Sequence, residues 1–214
     1  RRIMSLVSGI VPIDKRKVKV YLDGEFAFVL YKSECARFGL EENKELTPEV
    51  YEAISGVLHK RAQNRAIYLL KDRDYTESRL KNKLKESGYP EDAVIACVEQ
   101  MKNYGYVNDY NYAESFVRNK TGMMSRRELE YKLTEKLVPR DIIRQVMSEF
   151  FEVADVDAER QAFFNLYRKK NMNYAELKEK DKQRLLNFFL RKGFSYENIV
   201  SYLRETDKLY ENGT

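Results

Sequence analysis

Apolar residues recur with two different spacings along the chain, first with the alternation of a β-strand and then with the spacing of an α-helix. Apolar residues occupy every second position on both sides of Asp23-Gly24. A period of two places one side of a strand against a core. Asp-Gly between such runs signals a hairpin, because a type I′ turn needs positive φ at both central positions. The pattern therefore predicts a β-hairpin, and residues 4–11 predict a further strand that pairs with it. The alternating positions are Val18, Val20 and Leu22, then Phe26, Phe28 and Leu30.

The spacing of apolar residues becomes helical after residue 31. Ser33 is expected to cap a short helix that ends at Gly39, where a left-handed backbone is readily adopted. Thr47-Pro48 is a helix start, since a hydroxyl caps the helix and proline suits its first position. The helix is expected to reach Leu70, which is long for a globular protein, so a break near Lys60 is left open.

A sequence repeat in three copies is the most informative pattern in the chain. Shifting the first copy by 49 and by 105 residues superposes its apolar positions on two later segments. Each copy predicts a short helix, a tight turn and a second helix with apolar residues one turn apart. The aligned positions are Leu80, Leu84, Gly88, Tyr89, Pro90, Val94, Cys97, Val98 and Met101; Leu129, Leu133, Leu137, Val138, Pro139, Ile143, Val146, Met147 and Phe150; and Leu185, Phe189, Gly193, Phe194, Ser195, Ile199, Tyr202, Leu203 and Thr206.

Each copy also has a predicted helix cap and a preceding helix. Thr76, Ser125 and Asp181 stand where an N-cap is expected, and Ser125 with Glu128 matches a capping box. Thr206 interrupts the apolar pattern of the last copy, as expected where no further repeat follows. The preceding helices supply a third wall through Ala66, Leu69 and Leu70; Ala113, Phe116 and Val117; and Ala162, Phe163 and Leu166.

These patterns predict a mainly α protein with a small N-terminal β-hairpin or sheet region. Three tandem three-helix repeats are expected to form an elongated curved array, because such small units bury apolar surface only by sharing it. The predicted boundaries are 1–60 for the hairpin and helix region, then 61–108, 109–153 and 154–214 for the repeats.

Composition and chemistry argue against an enzyme. The sequence has no glycine-rich phosphate loop, HExxH, CxxC pair or serine elbow, and His59 is its only histidine. Cys35 and Cys97 are expected to be buried free thiols. We therefore expect no catalysis, no cofactor and no metal. No apolar run approaches the length of a membrane span and no signal peptide is evident, so a cytoplasmic protein is expected. We also expect a monomer that does not bind membranes.

Basic residues are the candidate binding residues in a chain of net charge +5. If equivalent helices face one way, their cations form a stripe that meets an acidic surface or DNA phosphates. The alternative is an ordinary solvated face paired with glutamates one turn away. For any single lysine or arginine the solvated, glutamate-paired face is favoured. For the cations of the second repeat taken together, the binding stripe is favoured. The candidates are Arg79, Lys83, Arg118, Lys120, Arg126, Arg127, Lys132, Lys136, Arg168 and Lys169.

Nearly the whole chain, from about residue 11 to residue 203, resembles the RecX family. The resemblance is strongest over Arg65–Lys120 and extends to the N-terminal hairpin, which is similar to that of Gram-positive-type members. The second copy departs from the family pattern at Leu137, where the other copies have glycine, and this puts the geometry of that turn in doubt. The motifs are Ala66 and Leu69, Ser78-Arg79-Leu80, Leu84 with Gly88-Tyr89, Gly105-Tyr106-Val107-Asn108-Asp109, Tyr112-Ala113, VKVYLDGEFAFVLY and Phe38-Gly39-Leu40.

The resemblance implies a regulator of the RecA recombinase in homologous recombination, DNA repair and the SOS response. Such a protein binds the RecA filament on single-stranded DNA and mainly inhibits its ATPase, strand-exchange and coprotease activities. Direct contact with single- or double-stranded DNA is left open. The alternatives are a helical nucleic-acid-binding protein that acts without RecA, and a scaffold that binds another protein.

Overall fold

The computed structural model describes residues 4–153 and 157–211 and contains a small sheet followed by helices. The chain forms two compact units, Arg1–Asn108 and Asp109–Thr214. The strands are β1 Ser5–Pro12, β2 Lys17–Leu22, β3 Glu25–Tyr31 and β4 Glu45–Leu46. The helices are α1 Lys32–Arg37, α2 Pro48–Asp72, α3 Glu77–Glu86, α4 Glu91–Asn103, α5 Asp109–Lys120, α6 Arg126–Glu135, α7 Arg140–Val153, α8 Asp157–Arg168, α9 Glu179–Arg191 and α10 Tyr196–Glu211, with a 3₁₀ turn at Tyr174–Glu176. Among the residues described, no helix has both the length and the apolar character that a membrane span requires.

The N-terminal sheet is antiparallel, with strand order β3-β2-β1-β4. Asp23 and Gly24 have φ of 51° and 89°, so the predicted hairpin turn is confirmed. The strand predicted at residues 4–11 is also confirmed, as β1. The inner face of the sheet packs on α2, because two or three strands need a helix to bury their apolar side. Its core contains Val7, Val18, Val20, Phe28 and Leu30, with Ile54 and Leu58 of α2.

Phe26 does not lie on the buried face that the alternation predicts. The pairing of β2 with β3 shifts between Val20 and Tyr21, so that Val20 faces Phe28 and Tyr21 faces Phe26. Such a bulge reverses which side of the strand the next residue occupies. Phe26 is consequently 45% exposed, and its ring meets the Tyr21 ring edge-on at 6.0 Å.

The helices after the sheet confirm one predicted start and correct another. Helix α2 begins after Thr47, whose hydroxyl oxygen accepts the backbone N–H of Val50, and it runs without a break past Lys60. Helix α1 ends before Gly39, as predicted, but Ser33 is not its cap. The N-cap is Tyr31, whose backbone N–H donates to the Glu34 carboxylate at 2.9 Å.

The aligned apolar positions of the repeat form three separate cores. Almost every aligned leucine, isoleucine, valine and phenylalanine is buried, which confirms the three-helix pattern. The first repeat uses the second half of α2 with α3 and α4, the second uses α5 to α7, and the third uses α8 to α10. The cores centre on Leu80, Leu84, Val94 and Val98; on Leu129, Leu133, Val146 and Met147; and on Phe163, Leu185, Phe189 and Ile199.

The turn between the second and third helices has the same backbone geometry in all three repeats. Gly88, Leu137 and Gly193 have φ of 85°, 60° and 89°, so the leucine does not change the turn. The next N–H donates to the carbonyl five residues back, from Tyr89 to Leu84, Val138 to Leu133 and Phe194 to Phe189. This bond and the apolar contact beside it define a Schellman ending, which satisfies helix carbonyls that otherwise lack donors.

The third repeat departs from the sequence pattern at two positions. Helix α9 begins after Lys178, so Asp181 lies in its first turn and is not the N-cap. An acid there still interacts favourably with the helix dipole. Thr206 is buried although it interrupts the apolar pattern, because its hydroxyl donates to the carbonyl of Leu203 at 2.6 Å. Thr76 and Ser125 are N-caps as predicted.

Both cysteines are buried and unbridged, as predicted. Cys35 belongs to the core under the sheet and Cys97 to the core of the first repeat. Burial raises the pKa of each thiol, because an apolar environment disfavours the thiolate. The thiols therefore act as small apolar side chains.

The contact of the first turn with β3 leads to a stability prediction. A Cβ on Gly88 would lie 2.2 Å from Cγ2 of Val29, whereas nothing lies within 4 Å of one on Gly105. Both glycines have positive φ, so both alanine variants lose about 1–2 kcal/mol from backbone strain. We expect Gly88→Ala to lose a further roughly 1–3 kcal/mol through overpacking, measured by urea unfolding of the full chain. Equal losses for the two variants would contradict this contact.

Candidate partner-binding surface

The start of α6, where two candidate arginines lie, is fixed by the third repeat. The Ser125 hydroxyl accepts the backbone N–H of Glu128 at 3.1 Å and donates to the Lys192 carbonyl at 2.6 Å. A Cβ on Gly193 would lie 2.8 Å from Oγ of Ser125 and 3.0 Å from Cβ of Arg127. The turn after α9 therefore packs directly on the first turn of α6 and holds its backbone in place.

Glu128 is used differently from what the capping-box pattern predicts. Its Oε1 accepts from Nζ of Lys192 at 2.9 Å, and its Oε2 is buried with no hydrogen-bond partner. The carboxylate therefore joins the second and third repeats, while Ser125 alone supplies the cap. Because one oxygen of this carboxylate is already desolvated without a partner, loss of the Lys192 ammonium would leave a poorly solvated charge and destabilise the fold.

Two more polar contacts join the same repeats. Nδ2 of Asn165 donates to the Gly122 carbonyl at 2.8 Å. Glu159 accepts from the backbone of Arg126 and from Nδ2 of Asn198, and partial burial nevertheless raises the pKa of its carboxyl. These contacts make the backbone around residues 122–128 a rigid base for the side chains on α6.

The ten candidate cations do not all lie in one unit. Arg79 and Lys83 are one turn apart on α3, in the first unit, and the other eight belong to the second. Arg118 and Lys120 lie at the end of α5, and Arg168 ends α8 with Lys169 just beyond it. A single stripe through all ten therefore stays a prediction.

Four of the candidates are paired with glutamates on the same helix or helix end. These pairs are exposed, and such pairs contribute only about 0–1 kcal/mol to stability. Pairing does reduce the positive potential that each cation offers a distant polyanion. The pairs are Lys83–Glu86 at 2.6 Å, Arg118–Glu114 at 2.7 Å, Arg126–Glu130 at 3.4 Å and Lys132–Glu135 at 2.6 Å.

Two candidates also lie against aromatic rings of other helices. Arg126 is 5.3 Å from the ring centroid of Phe151, and Lys136 is 5.2 Å from that of Phe116. Cations at this distance are attracted to the face of a ring. Both side chains therefore contribute to packing in the second repeat as well as to its charge.

The remaining candidates carry the most available positive charge. None of them forms an ion pair with any residue in the part of the chain that the structure describes. Arg127 is the best placed, because it is exposed on the rigid first turn of α6. These residues are Arg79, Lys120, Arg127, Arg168 and Lys169.

The joint between the second and third repeats was not predicted from the sequence. In the sequence Lys192 looks like any basic residue at the end of a helix. Glu159 and Asn165 lie on a helix whose sequence pattern identifies only its apolar face, not its polar contacts. The single available signal is Gly193, since a glycine after a helix permits both a positive φ and a close approach.

Family models match both of the first two repeats. The model described as RecX, first three-helix domain, matches residues 62–101, and RecX, second three-helix domain, matches residues 108–147. A regulatory protein RecX from Caldanaerobacter subterraneus subsp. tengcongensis is 34% identical over 205 residues, which covers 94% of this chain and all of the relative. A regulatory protein RecX from Clostridium perfringens is 29% identical over 202 residues, covering 91% of this chain and 93% of the relative.

Solved structures show the same fold. A crystal structure of regulatory protein RecX superposes with a TM-score of 0.57 at 23% identity, covering 91% of this chain and 96% of the other. The structure of RecX from Lactobacillus salivarius gives a TM-score of 0.60 at 22% identity, covering 71% of this chain and 98% of the other.

The ion pair between Lys192 and Glu128 is expected to stabilise the joint between the second and third repeats. Lys192→Met leaves the buried Glu128 carboxylate without its cation, so we expect the second unit to lose about 1–3 kcal/mol in urea unfolding. Arg191→Met, at the exposed neighbouring position, is the matched control and should be nearly neutral. Glu128→Gln combined with Lys192→Met should recover much of the loss. A neutral Lys192→Met variant would show that the pair does not support the joint.

Proposed function

The chain belongs to the RecX family of regulatory proteins, and from this membership we propose that it regulates the RecA recombinase. In this proposal the protein binds the RecA filament on single-stranded DNA and mainly inhibits its ATPase, strand-exchange and coprotease activities. The observation that carries the proposal is the 34% identity to a regulatory protein RecX along that relative's entire length. The same similarity supports action by binding, in DNA repair and the SOS response, with no reaction catalysed by the chain itself.

The exposed cations supply a means of binding a nucleoprotein filament. A DNA-bearing filament presents phosphates and acidic protein surface, and both attract a basic patch. Arg127 is the candidate we place nearest the contact, because its guanidinium has no carboxylate partner among the described residues and its backbone is held by the third repeat. Lys120, Arg168 and Lys169 are the other candidates of the same unit that form no ion pair with a described residue.

The proposal is tested by ATP turnover of RecA on single-stranded DNA. Adding the full chain at less than one molecule per recombinase should lower the steady-state rate, because one bound regulator affects a filament of many subunits. Unchanged turnover at saturating protein would sink the proposal. Matched assays without DNA separate an effect on the filament from an effect on free nucleotide hydrolysis.

Arg127→Glu should weaken this inhibition and leave the thermal unfolding midpoint nearly unchanged. The guanidinium is exposed and makes no ion pair with a described residue, so its replacement disturbs no internal contact. Arg144→Glu, on the exposed side of α7, makes the same change of charge and is the control. We expect the inhibition midpoint to rise several-fold for Arg127→Glu and to stay near wild type for Arg144→Glu. Equal effects of the two variants would remove Arg127 from the contact.

A further inference from the structure

A groove of about 910 Å³ opens in the first unit beside the hairpin. One side is the outer face of β2 and β3, and the other is formed by α2 and the turn between α3 and α4. The backbone N–H of Val29 donates to the Gly88 carbonyl at 3.0 Å, and the Tyr89 hydroxyl donates to the Arg61 carbonyl at 3.3 Å. These bonds hold the turn between α3 and α4 against β3 and α2. The groove is therefore present in the folded chain before any ligand binds.

The outer face of the sheet combines cations with aromatic rings. The strand register places Lys17 opposite Tyr31 and Tyr21 opposite Phe26 on this face. The bulge in β2–β3 pairing is what brings the Phe26 ring out to solvent. The Tyr21 ring packs over Gly9 of β1: a Cβ built on Gly9 would lie 3.7 Å from Cδ2 of Tyr21. The face therefore has a basic end and an aromatic end.

The charge of the groove is positive. Its lining contains the cations Lys17, Lys19, Arg61, Arg65 and Lys85 and the acids Asp14 and Glu86. Arg61 pairs with Glu34, and Lys85 pairs with Glu91. The lining acid Glu86 pairs with Lys83 of α3.

Three of the lining cations lie outside these ion pairs. Lys17, Lys19 and Arg65 form no ion pair with any residue between 4 and 153 or between 157 and 211. Asp14 accepts the backbone N–H groups of Arg16 and Lys17, and these bonds together with the nearby charge of Lys17 lower the pKa of its carboxyl. The lysines are two residues apart on one strand, so their side chains leave the sheet about 6.8 Å apart.

We infer that this groove binds a single-stranded nucleic acid, with phosphates on Lys17 and Lys19 and a base against Phe26. Cations beside the exposed Phe26 ring on a sheet face fit such a ligand, since a base stacks on a ring and phosphates bind cations. An acidic peptide would use the cations alone and leave the exposed ring without a role. The lining contains none of the ten candidate cations, although Lys83 pairs with its Glu86, and binding at the groove requires no recombinase.

The test uses the full chain, a fluorescein-labelled oligothymidylate and no recombinase. Fluorescence anisotropy across a salt series should show binding that weakens as salt rises. Lys17→Gln with Lys19→Gln should lower affinity about tenfold and reduce the slope of log affinity against log salt by about 1.4, since a single strand contributes about 0.7 per phosphate contact. Lys60→Gln with Lys71→Gln removes the same charge from α2 outside the groove and should leave both quantities near wild type.

The aromatic contact has its own pair of variants. Phe26→Leu should lower affinity about fivefold or more, because it removes the ring on which a base stacks. Phe26→Tyr keeps a ring at the position and should bind nearly as the wild type does. Circular dichroism of each variant establishes that the sheet is retained.

The results either support or overturn the groove as a nucleic-acid site. Equal losses for the groove lysines and the Lys60 and Lys71 control would overturn it, as would displacement of the oligonucleotide by polyglutamate of the same charge. The outcome is independent of the proposed function. A groove variant that loses oligonucleotide binding but still inhibits RecA leaves the regulatory proposal intact, and failure to inhibit RecA leaves the groove assay unaffected.

Discussion

The fold of each repeat depends on one residue with a left-handed backbone between its second and third helices. Gly88, Leu137 and Gly193 hold this conformation at equivalent positions. The Schellman bond after each of them closes the helix, and the apolar residue that follows is turned back onto the core. The second helix, of ten residues in α3 and α6 and 13 in α9, thereby buries its two aligned apolar residues against the third helix, whereas so short a helix is not stable by itself. The remaining features of the repeat follow from this reversal.

The same turn also packs on neighbouring elements where glycine is present. Gly88 lies against β3, and Gly193 lies against the first turn of α6. At both places a Cβ would overlap the neighbour, so the residue is constrained by its φ and by the available space. Leu137 meets only the first constraint, because its side chain is 44% exposed. A left-handed leucine costs about 1–2 kcal/mol, which a well-packed core offsets. This difference explains how the sequence departs from glycine in the second repeat without a change of geometry.

Local patterns in the sequence predicted most elements because the forces behind them are local. Asp23-Gly24, Thr47-Pro48 and the leucines one turn apart each act within a few residues, so the chain shows them directly. The errors at Ser33 and Asp181 misplaced a helix start by two or three residues, whereas the other two arose from contacts outside the local pattern. Phe26 is turned outward by the pairing of two strands, and Glu128 is taken from its predicted cap by Lys192, 64 residues later. The binding residues were predicted only as a set of cations, since the sequence does not show which of them keep a partner.

Charge pairing separates the available cations from the many that the composition counts. A lysine or arginine with a glutamate one turn away contributes little field beyond its own helix, as with Arg118 and Glu114. Cations on a strand lack that option, because residues two apart share a face and the next strand presents whatever its register dictates. Lys17 and Lys19 face Tyr31 and Val29 across the hairpin, and neither forms an ion pair with a described residue. A mildly basic protein can thus concentrate its effective charge at a few positions, and on β2 that charge lies on the same face as the exposed Phe26 ring.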